Sequence, residues 1–134
     1  MLSSDCKQSK RDLDIEIARS DLGRQKGLSD RKTQLKKNEG MLFVFDQPEV
    51  VGFWMKRTFI PLQLLFVDSE SKTFGSVEMP VEPNPDSPVK IYRSSRSVVA
   101  ALELKTHSIK NANYLKLCVQ TDPGKDQVKA PSAP

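Results

Sequence analysis

Two neighbouring stretches decide the fold: GMLFVF at residues 40–45 and FWMKRTFIPL at residues 53–62. The first is an apolar run that opens on a glycine and ends before the breaker Asp46-Gln47-Pro48, a pattern typical of a buried strand. The second starts as another strand and bends at Ile60-Pro61, because proline has no backbone N–H and restricts the preceding residue to extended geometry. Together they predict a hairpin in the core of a β domain.

Before and after these two stretches, the spacing of apolar residues is mostly the alternation typical of strands. The residues Leu13, Ile15 and Ile17 alternate with acidic residues, which indicates a strand with one solvated face. Ser20 is a typical N-cap and Gly27 a typical helix end, so the residues between them predict one short helix. The remaining predicted elements are strands at residues 62–67, 74–79, 90–93, 98–104 and 114–120, with a proline-rich loop over residues 80–88.

We therefore expect a mainly β fold: a small barrel or sandwich of seven to eight short, mostly antiparallel strands with one or two short helices. The 134 residues fit one domain. Neither end has apolar periodicity, which predicts a disordered leader (1–11), a single β domain (12–120) and a disordered tail (121–134). The residues expected in the core are Leu13, Ile15, Ile17, Leu42, Val44, Phe53, Leu64 and Phe66.

The charge pattern argues against a nucleic-acid partner. The net charge is only +4, from 21 basic and 17 acidic residues. Residues 19–37 hold seven basic and two acidic residues, a local +5, which we interpret as a solvated helix and loop rather than a face for an anionic partner. The longest apolar runs are far shorter than the roughly 18 residues of a membrane span, so no membrane-crossing segment is expected. The chain as given shows no signal peptide.

The two cysteines, Cys6 and Cys118, have neither a CxxC signature nor metal-ligand spacing. We expect both thiols to be free, because the polar leader that holds Cys6 has no apolar residues to anchor it near Cys118. The methionines are interpreted as core filler, and no glycine motif for phosphates or dinucleotides is present. No metal ion and no cofactor are therefore expected.

A specific resemblance comes from the order of short motifs along residues 12–120. They are Arg24-Gln25-Lys26-Gly27-Leu28, GMLFVF, FWMKRTFIPL, Phe66-Val67-Asp68, Met79-Pro80 with Tyr92, and Ala101-Leu102-Glu103. This order resembles the bacterial and archaeal domain of unknown function 192 family. The resemblance implies a compact, mainly β domain with no established activity. It also implies a periplasmic or envelope-associated location, since members are often exported.

Two positions in the second stretch depart from the family pattern. Arg57 stands where relatives commonly have Asn, and Gln63 stands where they have the Asp of an IPLD motif. This chain therefore has no ionisable group at the latter position.

The strand parity of the second stretch predicts a ligand site. Trp54 and Lys56 share one strand face, and Arg57 and Thr58 lie at the bend that follows. The indole would offer a stacking surface, and Lys56 or Arg57 a cationic clamp for a carboxylate, phosphate or sugar hydroxyl. Gln63 joins these candidates as the residue that replaces the family Asp. In the alternative interpretation Trp54 is a half-buried core aromatic covered by lysine stems.

These features predict a non-catalytic binding module, a monomer that holds a small or anionic ligand or a protein partner, and the resemblance implies that it belongs to the bacterial cell envelope. No catalytic residue is assigned, since His107 is expected at the surface and no nucleophile elbow is present. The alternative is a hydrolase-like enzyme that uses Asp68 or Glu103, two carboxylates at strand ends. The two functions separate on whether these carboxylates lie within about 10 Å of each other across a cleft.

Overall fold

The computed structural model describes residues 11–31, 33–122 and 125–130. In this part of the chain the elements are β1 (Arg11–Ala18), α1 (Asp21–Lys26), β2 (Glu39–Glu49), β3 (Gly52–Phe53), β4 (Leu62–Val67), β5 (Thr73–Met79), β6 (Tyr92–Arg93), β7 (Val98–Lys105), β8 (Cys118–Asp122) and β9 (Lys125–Ala130). The predicted short helix is confirmed. The Ser20 hydroxyl caps α1 by accepting the backbone N–H of Gly23 at 3.0 Å, and Gly27 ends it with φ 51°.

Seven of the described strands form one sheet in the order β5-β4-β7-β2-β1-β9-β8, and β3 pairs with β6 in a separate two-stranded sheet. β1 and β2 run parallel, whereas the other described pairs are antiparallel. The large sheet does not close into a barrel, so of the two predicted architectures the sandwich fits. The mainly β class is confirmed. The predicted hairpin is wrong, because β2 pairs with β1 and β7 while β3 pairs with β6.

Two apolar clusters lie on opposite faces of the large sheet. The first joins Phe43 and Leu64 to Tyr92 of the small sheet, and the second includes Leu42 and Leu65. The strands β2, β4 and β7 are buried on both faces, which is why they read as apolar runs rather than alternating patterns. Six of the eight residues predicted for the core are buried. The other two are half-buried beside it: Ile17 and Phe53.

Gly40 allows β2 and β7 to approach closely. A Cβ atom at this position would lie 1.8 Å from the backbone carbonyl oxygen of Glu103, a contact that no side chain can tolerate. The glycine that opens the GMLFVF stretch is therefore required by packing, and it sets the level at which Glu103 lies opposite Met41 of β2.

The β5 edge of the large sheet is partly covered by the segment before β8. The backbone N–H of Thr73 donates to the carbonyl of Leu115 at 2.8 Å, and an isolated bridge pairs Lys72 with Lys116. Farther along β5, Gly75 adopts φ 64° where the register against β4 shifts. A shift of this kind is a β-bulge, which bends and twists the strand.

The large sheet continues beyond the predicted domain end at Gln120. β8 extends to Asp122, and β9 pairs with both β1 and β8. Part of the segment predicted to be a disordered tail is therefore a strand pair. Residues 1–10 and 131–134 lie outside the described residues, and Arg11, the last residue of the predicted leader, begins β1.

Cys118 is disulfide-bonded, so the prediction of two free thiols is wrong. The other cysteine of the chain, Cys6, lies outside the described residues. The prediction considered apolar contacts alone, whereas a disulfide is a covalent bond that needs no apolar anchor.

Candidate ligand pocket

A cavity of about 400 Å³ opens beside the FWMK stretch, between the end of α1, β2 and β3. A volume of this size is typical of small-molecule sites. The lining combines aromatic, charged and hydroxyl side chains, among them Arg24, Lys26, Phe43, Phe53, Trp54, Thr58 and Glu103.

Aromatic side chains form one wall of the pocket. Phe43 and Phe45 both line it from β2, because alternate residues of a strand share a face. The rings of Phe43 and Phe53 meet edge to face with their centroids 5.1 Å apart. Trp54 is 52% exposed and lies outside the buried core, so a ligand can reach its indole from solvent.

Glu103 of β7 lines the pocket from the large sheet. Its side chain is only 5% exposed, and no hydrogen bond or ion pair joins its carboxyl group to any described residue. Burial therefore acts without compensation and raises the pKa of Glu103 from its ordinary value of 4.5 to about 8. At neutral pH the pocket thus contains a protonated carboxylic acid.

Cationic side chains surround the mouth of the pocket. The Arg24 guanidinium donates to the carbonyl of Val44 at 2.8 Å and to the carboxylate of Asp21 at 2.6 Å, so it is anchored. Lys26, in the last turn of α1, is exposed. Lys56 lies just outside the lining, with its Nζ atom 5.3 Å from the centroid of the Trp54 ring, a cation–π distance.

The predicted site residues Trp54, Lys56 and Thr58 do come together, but not for the predicted reason. β3 ends at Phe53, and residues 56–57 form a turn rather than a strand face. The Thr58 hydroxyl donates to the Lys56 carbonyl at 3.1 Å and closes this turn. Trp54 and Thr58 line the pocket, and the turn carries Lys56 back over the indole.

Arg57 is a structural link rather than a pocket residue. Its guanidinium donates to the carboxylates of Asp30 and Asp86, the latter at 2.7 Å, and its backbone N–H donates to Pro85 at 2.7 Å. These two carboxylates, Asp30 first, raise the pKa of Arg57 further above its ordinary value. The backbone φ of 49° lies in the left-handed region, which Asn adopts more readily than most residues. This conformation fits the Asn that the family resemblance implies at this position.

Gln63 lies on the opposite face of the large sheet. Its amide nitrogen donates to the carbonyl of Ile109 at 2.8 Å and to the Ser76 hydroxyl at 3.2 Å, and its amide oxygen accepts the Ile109 N–H at 2.9 Å. The side chain is buried and fully hydrogen-bonded, and it does not line the pocket. The structure gives it the role of fixing the chain after β7.

The carboxylates of the alternative enzyme prediction are not brought together. Asp68 accepts the backbone N–H groups of Glu70 and Lys72 at 2.9 and 3.0 Å, the pattern of a turn residue. Glu103 pairs with Leu64 of β4, and Asp68 follows the end of that strand, four residues after Leu64, which places the two carboxylates about 13 Å apart along the strand direction. Asp68 does not line the pocket.

The sequence indicates Glu103 only as half of a catalytic pair and gives no sign of the other pocket walls. One signal for Glu103 is nevertheless present, since it is the single charged side chain within the apolar run Val98–Leu104. The contribution of Arg24 and Lys26 depends on how α1 packs against β2, and no local pattern determines that packing.

The family relationship follows from a match of the sequence to one family model. Residues 4–115 match the model of domain of unknown function 192, described as an "Uncharacterized ACR". The chain belongs to this family. The motif-based recognition is thereby confirmed. No curated protein matches the chain.

Two solved structures resemble this member of the domain of unknown function 192 family. A Sinorhizobium meliloti protein described as a "putative transcription regulator" is 31% identical with a TM-score of 0.68, over 90% of this chain and 83% of that protein. A Novosphingobium aromaticivorans protein of unknown function is 26% identical with a TM-score of 0.61, over 71% of this chain. The match spans 64% of the Novosphingobium protein.

The described residues contain no helix long and apolar enough to cross a membrane. Within the same part of the chain, no group of three or more His, Cys, Asp or Glu residues is arranged to hold a metal ion. The His107 side chain is 81% exposed, with its Nδ1 atom 3.6 Å from the Glu78 carboxylate.

Proposed function

We propose that the protein is a non-catalytic binding module that holds a small, anionic ligand in the pocket beside Trp54. The observation that carries this proposal is the pocket itself: about 400 Å³, walled by aromatic rings, with a buried carboxyl group that has no described partner. Concave sites that combine apolar walls with placed polar groups are a usual form of small-molecule sites.

The charges around the mouth support an anionic ligand. Lys26 and Lys56 are exposed and have no carboxylate partner among the described residues. Arg24 adds a third cation, although Asp21 neutralises much of its charge. Glu49 is the carboxylate at the edge of the lining that opposes them.

The non-catalytic assignment rests on the separation of the carboxylates. Glu49 also lines the pocket, but it pairs with Val98, five residues from Glu103 along β7, a separation of about 16 Å. Carboxylate pairs that act as acid and base lie within about 10 Å of each other. Among the described lining residues, the register therefore places no second carboxylate beside Glu103 for hydrolysis.

We also propose a periplasmic or envelope-associated location in a bacterial cell. The disulfide at Cys118 supports this, because disulfides persist mainly in oxidising compartments. Fractionation of the native cells with compartment markers tests the location, and recovery with cytosolic markers would contradict it. We expect the protein to be a monomer, which analytical ultracentrifugation checks.

The regulator description of the Sinorhizobium protein does not suggest the same function here. Nucleic-acid binding needs a large basic surface, whereas the net charge of this chain is only +4, and two of its basic residues are paired: Arg24 with Asp21, and Arg31 with both carboxylate oxygens of Glu16 at 3.0 Å. The described helix has six residues, too short to serve as a recognition helix.

The test is a screen of small anions followed by amide chemical-shift mapping. We expect the shifts to cluster on the pocket residues and the Trp54 fluorescence to change, with an affinity that falls as salt rises. Lys56→Ala should weaken binding and leave the free energy of unfolding within about 0.5 kcal/mol, the usual range for a surface substitution.

Lys90 offers a matched control for Lys56. Its Nζ atom lies 4.9 Å from the centroid of the Tyr92 ring, so it makes the same kind of cation–π contact, but it does not line the pocket. Lys90→Ala should therefore leave binding unchanged. Shifts that cluster elsewhere for every ligand, or equal losses in both variants, would contradict the proposed site.

A further inference from the structure

The buried carboxyl group of Glu103 can bind a ligand in a specific way. Its pKa of about 8 keeps it protonated at neutral pH, so it presents one O–H donor beside one carbonyl acceptor. No described residue uses either atom. The two hydroxyl groups in the lining, those of Ser29 and Thr58, both donate to the Lys56 carbonyl.

A charged group does not suit the inner end of the pocket. An anion there would be buried against Phe43 and Phe53 without a free cation, because the Arg24 guanidinium is held by Asp21. A cationic ligand group would be repelled, because positively charged side chains already lie over the aromatic rings. Lys56 lies over Trp54, and Arg24 lies 5.8 Å from the centroid of the Phe45 ring.

An uncharged planar group with an N–H next to a carbonyl does suit the inner end of the pocket. Such a group accepts the O–H of the protonated Glu103 and donates its N–H to the other oxygen, so both polar groups are satisfied without burying a charge. The aromatic wall packs against the flat faces of the same group. The exposed ammonium groups of Lys26 and Lys56 remain at the mouth for an acidic group at the other end of the ligand.

We infer that the ligand is an anionic small molecule with an uncharged amide-type group at its buried end, held by two hydrogen bonds to Glu103. The inference rests on the proposed function and adds the class of ligand and the residue that selects it.

The experiment compares four benzoates that differ at one position. 4-Carbamoylbenzoate carries the amide, terephthalate a second anion, 4-(aminomethyl)benzoate a cation, and 4-methylbenzoate an apolar group. Affinities are measured by calorimetry near about pH 6.5, below the pKa of Glu103, with amide shifts to locate each compound. We expect 4-carbamoylbenzoate to bind about tenfold more tightly than the other three, since only it satisfies the buried carboxyl group.

Two variants of Glu103 separate its hydrogen bonding from its charge. Glu103→Gln keeps a donor and an acceptor at every pH, so it should retain the preference for the amide. Glu103→Leu keeps the volume and removes both, so it should lose the preference. In the wild type the preference should weaken as the pH rises past about 8, because the ionised carboxylate has no donor.

The Glu103→Gln variant should lack this pH dependence. The other charged side chains that line the pocket, Arg24 and Lys26 from α1 and Glu49 from β2, are present in both proteins. The difference between the two pH profiles therefore belongs to Glu103.

The outcomes distinguish the inference from the proposed function. If the amide shifts lie in the pocket but terephthalate or 4-(aminomethyl)benzoate binds most tightly, the inference is overturned and the pocket remains a binding site. An unchanged preference in Glu103→Leu would overturn it in the same way. If none of the four compounds binds, the inference is wrong, and the wider screen of anions then decides the proposed function by itself.

Discussion

Gln63 and Glu103 are buried polar side chains on adjacent strands, β4 and β7, and they have opposite surroundings. Gln63 makes three hydrogen bonds on one face of the large sheet, whereas Glu103 makes none to the described residues on the other. Both interrupt apolar strands. The comparison shows that a buried polar residue in a strand does not by itself indicate function. What separates the two is whether the fold supplies the partner or leaves that to a ligand.

The largest effect should come from the charge on Glu103. Its pKa is about 8 in the folded protein and near 4.5 when exposed, so the folded state binds the proton more tightly. The contribution of Glu103 to the free energy of unfolding should therefore be greatest below about pH 4.5 and should fall as the pH rises to about 8, by on the order of 5 kcal/mol in total. Denaturant titrations across this range should show that loss relative to Glu103→Gln.

The Glu103→Gln variant supplies the reference because it carries no ionisable group at this position. Identical pH profiles for the two proteins would mean that the carboxyl group finds a partner after all, and the contrast with Gln63 would disappear.

A smaller decrease in the free energy of unfolding is expected from Gln63→Leu. The substitution keeps the buried volume but leaves the N–H and carbonyl of Ile109 without partners, which should cost about 2–3 kcal/mol at any pH. Urea unfolding measures the change. Gln63→Glu is a useful second variant, because it keeps the acceptor for the Ile109 N–H and removes the amide donor to the Ile109 carbonyl. A neutral Gln63→Leu would show that these hydrogen bonds add nothing.

The smallest effect concerns Ser108, a third buried polar residue. Its hydroxyl is buried without a hydrogen-bond partner and, unlike Glu103, it does not line the described pocket. Ser108→Ala removes a desolvated group, so it should be neutral or raise the free energy of unfolding by up to about 1 kcal/mol. Thermal unfolding with calorimetry is sufficient to see the sign. A clear loss of stability would indicate that the hydroxyl is bonded in solution.

Local patterns predicted the parts of the fold that depend on neighbouring residues. Ser20 and Gly27 bound the helix because capping and a left-handed helix end are local chemistry. The partners of β2 and β3 were not predictable in this way, because pairing is decided by packing between distant segments. The crossover through α1 places β1 rather than β3 beside β2.

The same distinction between local patterns and long-range packing applies to the residues of the site. Trp54 and Thr58 were indicated by the motif that contains them, and both line the pocket. Arg57 is a candidate for its charge and Gln63 for its place in the family pattern, but each is occupied by partners that only the folded chain brings near. The sequence indicates Glu103 as a carboxylate at a strand end but not what surrounds it, because strand register and burial are not visible in the sequence.

The covered start of β5 and the bulge at Gly75 bear on how the protein behaves at high concentration. An exposed, flat edge strand offers unpaired backbone groups to a second chain and so promotes aggregation. Here Leu115 and Lys116 occupy the first backbone positions, and the left-handed Gly75 twists the strand out of the flat geometry that intermolecular pairing requires. The β5 edge is therefore a poor template for another molecule.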